Sequence, residues 1–250
     1  MERADFVVIG GGIAGASAAY ELAAHGRVVL VEAEAICGYH TTGRSAAIFT
    51  EAYEHDAVRL LTMASRSFLQ APPDGFTGIP ILSPLAILLI GREDQRQQVE
   101  EEIATAMRFV PSVRRLEGEE AQAHCQILRR GYVDVALLEP DAHAIDVDGL
   151  HQGFLHGLRR RDGIIKTGWR VSSLASNRSG WTVSNGSETV ECAAVVNAAG
   201  AWGDVVGSMA AAATIGLVPK RRTAFTFAAP DGVGTADLPM VIDIDEQFYF

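Results

Sequence analysis

Three glycines near the start of the chain have the spacing of a phosphate-binding turn. Gly10, Gly12 and Gly15 form the pattern G-x-G-x-x-G between an apolar run and a stretch of small residues. In this pattern the first glycine permits a tight turn, the second lets the backbone approach a pyrophosphate, and the third lets the following helix pack closely on the sheet. The amino end of such a helix offers unpaired N–H groups and a partial positive charge to phosphate oxygens.

A carboxylate follows at the position that would meet a nucleotide's ribose. Glu32 lies twenty positions after Gly12, at the end of the second apolar run. A carboxylate there accepts hydrogen bonds from ribose hydroxyls and repels a 2′-phosphate. Together with the glycines it predicts a dinucleotide-binding site. The competing interpretation is a glycine turn that only permits close packing.

Two further segments bear on which dinucleotide is bound, because the opening motif does not distinguish FAD from NAD. Residues 41–47 are small and mostly polar, and such a segment can run beneath a flat ring and donate backbone N–H groups to it. Residues 195–202, VVNAAGAW, form a second glycine turn after an apolar run. This second turn indicates that the nucleotide is enclosed from another side, as a large cofactor requires.

The glycine turn needs a strand before it and a helix after it, and the sequence pattern supplies both. Residues 6–9 and 27–32 are predicted as buried strands, and residues 13–25 as a helix of small residues. This βαβ unit favours a parallel sheet. Elsewhere the patterns predict helices at 55–70, 93–110 and within 146–163, strands at 79–82, 86–90, 132–137 and 194–197, a β-meander after residue 163, and strands again in 216–250.

Composition excludes several classes of function. The 250 residues carry a net charge of −10, which would repel the phosphates of a nucleic acid. The three cysteines are odd in number and widely spaced, so we expect reduced thiols and a cytoplasmic protein. The first residues lead directly into a strand rather than a signal peptide. The longest apolar run, residues 79–90, is too short to span a bilayer, so we expect no integral membrane segment.

No spacing typical of a metal site or a hydrolase triad is present. Ser45 is not part of a G-x-S-x-G elbow, and no C-x-x-C pair occurs. Six histidines without such spacing are expected at surface or helix positions: His40, His55, His124, His143, His151 and His156.

Four motifs occur in the order found in one known family. The segments GYHTTGRSAA, LHQGFLHGLRR, VVNAAGAW and LVPKRRTAF resemble the FAD-dependent oxidoreductases of the D-amino-acid oxidase/dehydrogenase superfamily, most closely the D-arginine dehydrogenase branch. The resemblance runs from residue 5 to residue 250. It implies FAD as cofactor and oxidation of a C–N bond by hydride transfer to flavin N5, giving a 2-oxo acid and ammonia. The implied partner is a small-molecule amino acid, and the electron acceptor stays unknown.

The resemblance also implies roles for particular residues on the cofactor side. The pyrophosphate would be held by the first glycine turn, the adenosine ribose by the end of the second strand, and the isoalloxazine by the polar segment. The adenine would meet a backbone group near residue 171, and the second glycine turn would close over the phosphates. The residues implied are Gly10, Gly12, Ala14, Gly15, Glu32, Ala33, Thr41, Thr42, Gly43, Arg44, Ser45, Ala46, Ala47, Ile48, Val171 and Gly200.

Three residues match positions that contact substrate in the family. Arg222 would pair bidentately with the substrate carboxylate, Tyr249 would donate its O–H to the same carboxylate, and Tyr53 would border the amine. The alternative for Arg222 is a surface charge on a predicted strand, beside Lys220 and Arg221. The alternative for the two tyrosines is an ordinary core position with a satisfied hydroxyl.

Two departures from the family pattern predict the substrate's side chain. Ile48 and Ile87 stand where relatives that prefer cationic D-amino acids place a histidine and a glutamate. An isoleucine cannot pair a guanidinium or ammonium, and a buried unpaired charge is costly. The sequence therefore predicts an apolar or small side chain rather than arginine.

The fold class expected is α/β, with a Rossmann-like FAD-binding domain and an inserted α+β substrate domain whose sheet is mainly antiparallel. The FAD-binding domain is predicted at residues 1–75 and 141–215, and the substrate domain at 76–140 and 216–250. Because the family usually extends more than a hundred residues further, we expect the chain to be C-terminally truncated.

Two other functions stay open from the sequence. A flavoenzyme of the same fold can oxidise a C–O bond, as 2-hydroxyacid or glycerol-phosphate relatives do. The chain can also be a truncated, inactive fragment that binds only the adenosine half of FAD, or nothing.

Overall fold

A computed structural model describes residues 2–52, 55–221, 223–229, 231–235 and 238–250. Two compact units are assembled from alternating parts of the chain. Unit 1 comprises Met1–Ala46, Pro73–Ile79 and Val147–Thr223. Unit 2 comprises Ala47–Pro72, Pro80–Asp146 and Ala224–Phe250.

The strands are β1 (Glu2–Ile9), β2 (Val28–Val31), β3 (Ile48–Phe49), β4 (Leu82–Pro84), β5 (Ile87–Gly91), β6 (Arg114–Glu117), β7 (Val135–Glu139), β8 (His143–Ile145), β9 (Ile164–Lys166), β10 (Ser173–Asn177), β11 (Gly180–Ser184), β12 (Thr189–Asn197) and β13 (Met240–Asp243). The helices are α1 (Ile13–Leu22), α2 (Asp56–Gln70), α3 (Arg96–Ala106), α4 (Gly118–His124), α5 (Val147–Arg160) and α6 (Gly203–Met209). Short 3₁₀ turns occupy Thr42–Arg44, Glu93–Gln95 and Gly200–Trp202.

Unit 1 is built around a sheet with the strand order β10-β11-β12-β1-β2-β9. β1 pairs in parallel with β12 and β2, and β2 pairs in parallel with β9, which confirms the predicted βαβ unit. β10, β11 and β12 form the expected antiparallel meander. Val28–Val31 is buried throughout, as expected for a parallel strand covered on both faces. The carboxyl ends of β1, β2 and β12 consequently lie at one edge of this sheet.

Aromatic packing fixes α5 against α1 within unit 1. The ring of Tyr20 on α1 meets Phe76 edge-on with a centroid distance of 5.8 Å. Phe76 in turn meets Phe154 on α5 at 5.0 Å. Such edge-to-face pairs add specific geometry to the apolar area that they bury. The contact determines which residues of α5 face the glycine turn.

Unit 2 contains a mainly antiparallel pair of sheets, as expected for the second domain. The larger sheet has the order β13-β5-β7-β6, in which β7 is antiparallel to β5 and β6, and β13 is parallel to β5. The smaller sheet has the order β3-β8-β4 and is antiparallel. The fold class predicted from the sequence, an α/β fold with a Rossmann-like domain, is confirmed.

The observed units differ from the predicted domain bounds at four places. Residues 47–72 and 141–146, expected in the first domain, lie in unit 2, because β3 and β4 both pair with β8. Residues 76–79 and 216–223, expected in the second domain, lie in unit 1. At the start of the later stretch the Asp204 carboxylate accepts hydrogen bonds from the amides of Ile215, Gly216 and Leu217, at 2.8–3.0 Å.

The prediction of strands across residues 216–250 is wrong for most of that range. Its described residues form β13 and an isolated bridge between Ile242 and Tyr249, and the described part of residues 216–239 contains no strand. Phe225 and Phe227 are 79% and 73% exposed. An apolar alternating run without a neighbouring strand has no backbone partners and cannot form a ladder.

Among the described residues, no helix combines the length and the apolar character needed to cross a membrane. In that same part of the chain, no three His, Cys, Asp or Glu side chains are grouped as a metal site.

The close packing of α1 on β1 gives a first testable prediction. A Cβ added at Gly15 would lie 1.8 Å from the Gly10 carbonyl oxygen, a backbone atom that cannot move aside cheaply. We expect Gly15→Ala to lower the free energy of unfolding by at least about 2 kcal/mol, measured by urea titration. Gly78→Ala is the control, because a Cβ there meets nothing within 4 Å. An unchanged stability of the Gly15→Ala variant would contradict the packing.

Candidate functional site

The first glycine turn joins β1 to α1 at the sheet edge. Gly10 has a φ of +109°, which side-chain-bearing residues rarely adopt, and its amide donates to the Val31 carbonyl at 2.9 Å. Gly15 contacts the Gly10 carbonyl. These two glycines therefore build the turn.

The amides that follow the turn remain available for a ligand. The Ile13 amide donates to the Thr42 hydroxyl at 3.0 Å. The Gly12 carbonyl accepts a hydrogen bond from the Ala16 amide. The amides of Gly12 and Ala14 make no hydrogen bond to any described residue. Unpaired amides at the amino end of a helix form an anion-binding position.

Glu32 points its carboxylate at the turn rather than into bulk solvent. One oxygen accepts from the Gly11 amide at 2.7 Å, and the other accepts from the Glu34 amide at 2.8 Å. Each carboxylate oxygen has a second lone pair, which leaves acceptor capacity for a hydroxyl. Ala33, predicted beside the same ribose, is half-buried between these two acids.

The segment that follows β9 runs alongside the residues that follow β2. Trp169 donates its amide to the Glu32 carbonyl at 2.8 Å, and Gly168 donates to the Glu34 carbonyl at 2.7 Å. Val171 follows, with its side chain in the core of unit 1. Its backbone makes no hydrogen bond within the described chain, and the contact of this backbone with adenine stays a prediction.

The second glycine turn lies next to the first. The Ala198 amide donates to the Ile9 carbonyl at 2.9 Å, and the Ala198 carbonyl lies against Gly10, where an added Cβ would come within 2.3 Å of it. Gly200 has a φ of +52°, and a Cβ there would meet nothing within 4 Å. The second glycine turn therefore borders open space at Gly200.

The predicted flavin-lining segment divides between the two units. Thr42 caps α1, Gly43 donates to the Gly38 carbonyl, and the Arg44 guanidinium lies 4.8 Å from the centroid of the Tyr39 ring. Thr41, Ser45 and Ala46 are exposed in unit 1. Ala47 and Ile48 belong to unit 2, so the lining role of the whole segment stays a prediction.

The substrate-side predictions are only partly placed. Tyr53 and Arg222 lie outside the described residues. Tyr249 pairs by its backbone with Ile242, and its side chain is 44% exposed. Ile87 is buried in β5.

Ile48 lines an apolar groove of unit 2 with a volume of about 380 Å³. The groove lies between β3 and α2, and none of the described residues that line it is charged. Its walls are Ile48, Phe49, Thr50, Val58, Leu61, Thr62, Ser65, Leu69 and Ile145.

A buried carboxylate holds the segment that precedes Tyr53. Glu139 accepts hydrogen bonds from the Thr50 hydroxyl and from the Glu51 amide. Burial raises the pKa of the Glu139 carboxyl above its ordinary value, because desolvation disfavours the charged form. The Glu51 carboxylate is paired bidentately with Arg66, at 2.7 and 2.9 Å. These contacts fix the backbone of residues 50–52.

Two residues near the glycine turn were missed by sequence reasoning. Cys37 places its sulfur against Gly11. His151, on α5, places Nε2 2.8 Å from the Gly11 carbonyl oxygen. His151 lies within the motif LHQGFLHGLRR, and Cys37 directly precedes the motif GYHTTGRSAA, but neither motif indicates a contact with Gly11, because both contacts arise from packing of distant segments. Two glycines on α5 gave a signal of close packing: the Phe76 ring lies against Gly153, and the Tyr20 ring lies against Gly157.

The geometry fits the ADP half of a dinucleotide. Unpaired amides stand at the amino end of α1, a carboxylate with spare acceptor capacity ends β2, and a backbone segment without partners in the described chain lies beyond it. A side chain at Gly12 would crowd this position, because its Cβ would lie 3.2 Å from the Thr42 hydroxyl.

Comparisons with known proteins identify one family and several folds of the same kind. The family model described as DAO: FAD dependent oxidoreductase matches residues 5–250. Among solved structures, glycine oxidase from Geobacillus kaustophilus has 21% identity and a TM-score of 0.75, with 84% of this chain and 59% of that chain covered. L-alpha-glycerophosphate oxidase from Mycoplasma pneumoniae, solved with FAD bound, has 18% identity and a TM-score of 0.75, with 84% and 57% covered.

A third similar structure is L-proline dehydrogenase from P. horikoshii. It has 19% identity and a TM-score of 0.73, with 98% of this chain and 65% of that chain covered. At these identities the likeness shows the fold. The chain spans less than two thirds of the length of each of these three proteins.

We expect the thiol of Cys37, which lies against the glycine turn, to be alkylated slowly. The pKa of Cys37 is raised to about 11, chiefly by burial and secondarily by the nearby Glu32 charge, with Arg159 acting in the opposite direction. We expect alkylation of Cys37 by iodoacetamide at pH 8 to be roughly a hundredfold slower than that of an unperturbed thiol. Its rate should rise about tenfold per pH unit up to pH 10, measured by peptide mapping. A rate that levels off below pH 9 would contradict this placement.

Proposed function

The chain belongs to the DAO family of FAD-dependent oxidoreductases, and from this premise we propose that it oxidises the C–N bond of a D-amino acid with an apolar or small side chain. FAD is the cofactor of the family. The products are a 2-oxo acid and ammonia, after hydrolysis of the imino acid. One observation carries the proposal: the unpaired amides of Gly12 and Ala14 stand beside the Glu32 carboxylate, as an ADP moiety requires.

Residues of unit 1 would hold the adenosine and pyrophosphate parts of FAD. The amides of Gly12 and Ala14 would donate to pyrophosphate oxygens, and Glu32 with Ala33 would bind the ribose. The Val171 backbone would contact the adenine. Gly10 and Gly15 would act by shaping the turn, and Gly200 would close over the phosphates. When bound, FAD supplies the hydride-accepting chemistry.

The chain's own task is then to hold the substrate's α-carbon in position. Arg222 would bind the substrate carboxylate bidentately, because a planar guanidinium matches two carboxylate oxygens. Tyr249 would donate its hydroxyl to the same carboxylate, and Tyr53 would border the amine. The hydrogen bonds to the buried Glu139 fix residues 50–52, which precede Tyr53 in the sequence.

The apolar groove beside Ile48 supports an apolar substrate side chain. Among the described residues, its lining offers no carboxylate to pair an ammonium or guanidinium, so a cation placed there would find no charged partner. Ile87 is likewise apolar and buried. Both features support an apolar or small substrate side chain rather than a cationic one.

A second candidate is oxidation of a C–O bond in a 2-hydroxy acid or glycerol phosphate. The structural likeness to L-alpha-glycerophosphate oxidase favours keeping it. For either reaction we propose a cytoplasmic location, supported by three free cysteines of the kind maintained in reducing compartments.

Dye reduction by the FAD-loaded chain tests the proposed function. We expect kcat/KM for D-valine and D-alanine to exceed that for D-arginine and D-lysine by about tenfold or more, and to exceed that for the L-enantiomers, 2-hydroxy acids and glycerol 3-phosphate. A preference for D-arginine would overturn the side-chain assignment. A preference for the hydroxy compounds would overturn the C–N assignment.

Ile48→Glu provides the matched variant for this assay. A carboxylate in the groove should lower kcat/KM for D-valine by about tenfold and narrow the gap to D-arginine. Ile79→Glu is the control, because Ile79 is exposed in unit 1 and should leave both values unchanged.

A further inference from the structure

His151 is a buried histidine whose hydrogen bond reaches the glycine turn. It is 3% exposed, and its Nε2 lies 2.8 Å from the Gly11 carbonyl oxygen. A carbonyl oxygen only accepts hydrogen bonds, so Nε2 must carry the proton. The ring is enclosed, since a Cβ added at Gly38 would lie 3.0 Å from its Cε1.

Both polar groups of Gly11 are held by distant parts of the chain. Its carbonyl accepts from His151 and also from the Gly38 amide at 3.0 Å. Its amide donates to Glu32 at 2.7 Å. Because its amide and its carbonyl are both hydrogen-bonded, Gly11 cannot freely rotate the peptide planes on either side, although a glycine has the conformational freedom to do so.

The orientation of the Gly11 carbonyl determines the direction of the next amide. The Gly11 carbonyl and the Gly12 N–H belong to one planar trans peptide, so they point in opposite directions. Turning the carbonyl toward His151 turns the Gly12 N–H away from it. That N–H has no partner in the described chain.

We propose that His151 is a positioning residue for the cofactor's pyrophosphate: its Nε2–H holds the Gly11 carbonyl and thereby aims the Gly12 amide at the phosphate. The proposal rests on the proposed function, in which Gly12 contacts the pyrophosphate. His151 acts through the backbone and not by contact with the cofactor. A glycine-rich loop is flexible by itself. An amide that is already oriented before the cofactor binds reduces the conformational entropy lost on binding.

A series at position 151 tests this role by affinity rather than by turnover. FAD and ADP dissociation constants are measured calorimetrically for the wild-type 250-residue chain, His151→Gln and His151→Leu. Leucine fills part of the volume of the His151 ring but has no hydrogen-bond donor. The side-chain amide nitrogen of glutamine can occupy the position of Nε2 and donate to the Gly11 carbonyl. His156→Leu is the control, because His156 is exposed on the same helix.

We expect His151→Leu to raise both dissociation constants about tenfold, and His151→Gln to restore them to within about threefold of wild type. Equal weakening by leucine and glutamine would indicate a packing role and overturn the proposal, as would wild-type affinity of His151→Leu. A wild-type chain that binds neither FAD nor ADP would overturn the proposed function, and the positioning role with it.

The ring tautomer gives a second measurement that needs no folded leucine variant. Long-range ¹H–¹⁵N spectra of the wild-type chain, assigned by comparison with His151→Gln, report which ring nitrogen carries hydrogen. The proposal requires hydrogen on Nε2. A ring with hydrogen on Nδ1 alone would overturn it.

Discussion

The seating of α1 on β1 is the constraint on which the rest of unit 1 depends. Gly15 approaches the Gly10 carbonyl so closely that no side chain fits between them, and Gly10 adopts a backbone conformation that suits glycine. Because the helix starts directly at the sheet edge, its first amides point at the place where β1, β2 and β12 all end. Moving the helix outward by one methyl group would separate those amides from the Glu32 carboxylate and from the second glycine turn.

Four acidic side chains, two in each unit, organise backbone segments. Glu32 takes two loop amides in unit 1, and Glu139 takes a hydroxyl and an amide in unit 2. Asp204 gathers three successive amides, and the fully buried Asp243 accepts two from its own turn. A carboxylate that accepts amide hydrogen bonds is partly compensated for its lost hydration. Part of the chain's negative charge thus stabilises loops and turns by accepting backbone hydrogen bonds, whether or not other acidic groups bind a ligand.

The sequence predicts the glycine turn and its setting well, because every device there is local. The positions of Gly10, Gly12 and Gly15, the apolar strands on each side and Glu32 follow from patterns within about thirty residues. Short elements such as β8 and α4 lack a clear period, and residues 47–72 join unit 2 through pairing with β8 that no local pattern encodes. His151 was assigned no role for the same reason: its partner Gly11 is 140 positions away. Apart from β13, the strands expected after residue 216 are absent from the described residues, because alternation alone does not supply a pairing partner.

Competition for cofactor binding tests most directly the claim that unit 1 holds an ADP moiety at the amino end of α1. FAD is titrated into the 250-residue chain alone, with excess ADP, and with excess FMN, which has the flavin ring but no adenosine diphosphate. We expect ADP to displace FAD competitively at a single site, and FMN at the same concentration to do so far less. Displacement by FMN with no effect of ADP would contradict the placement of the ADP moiety at α1.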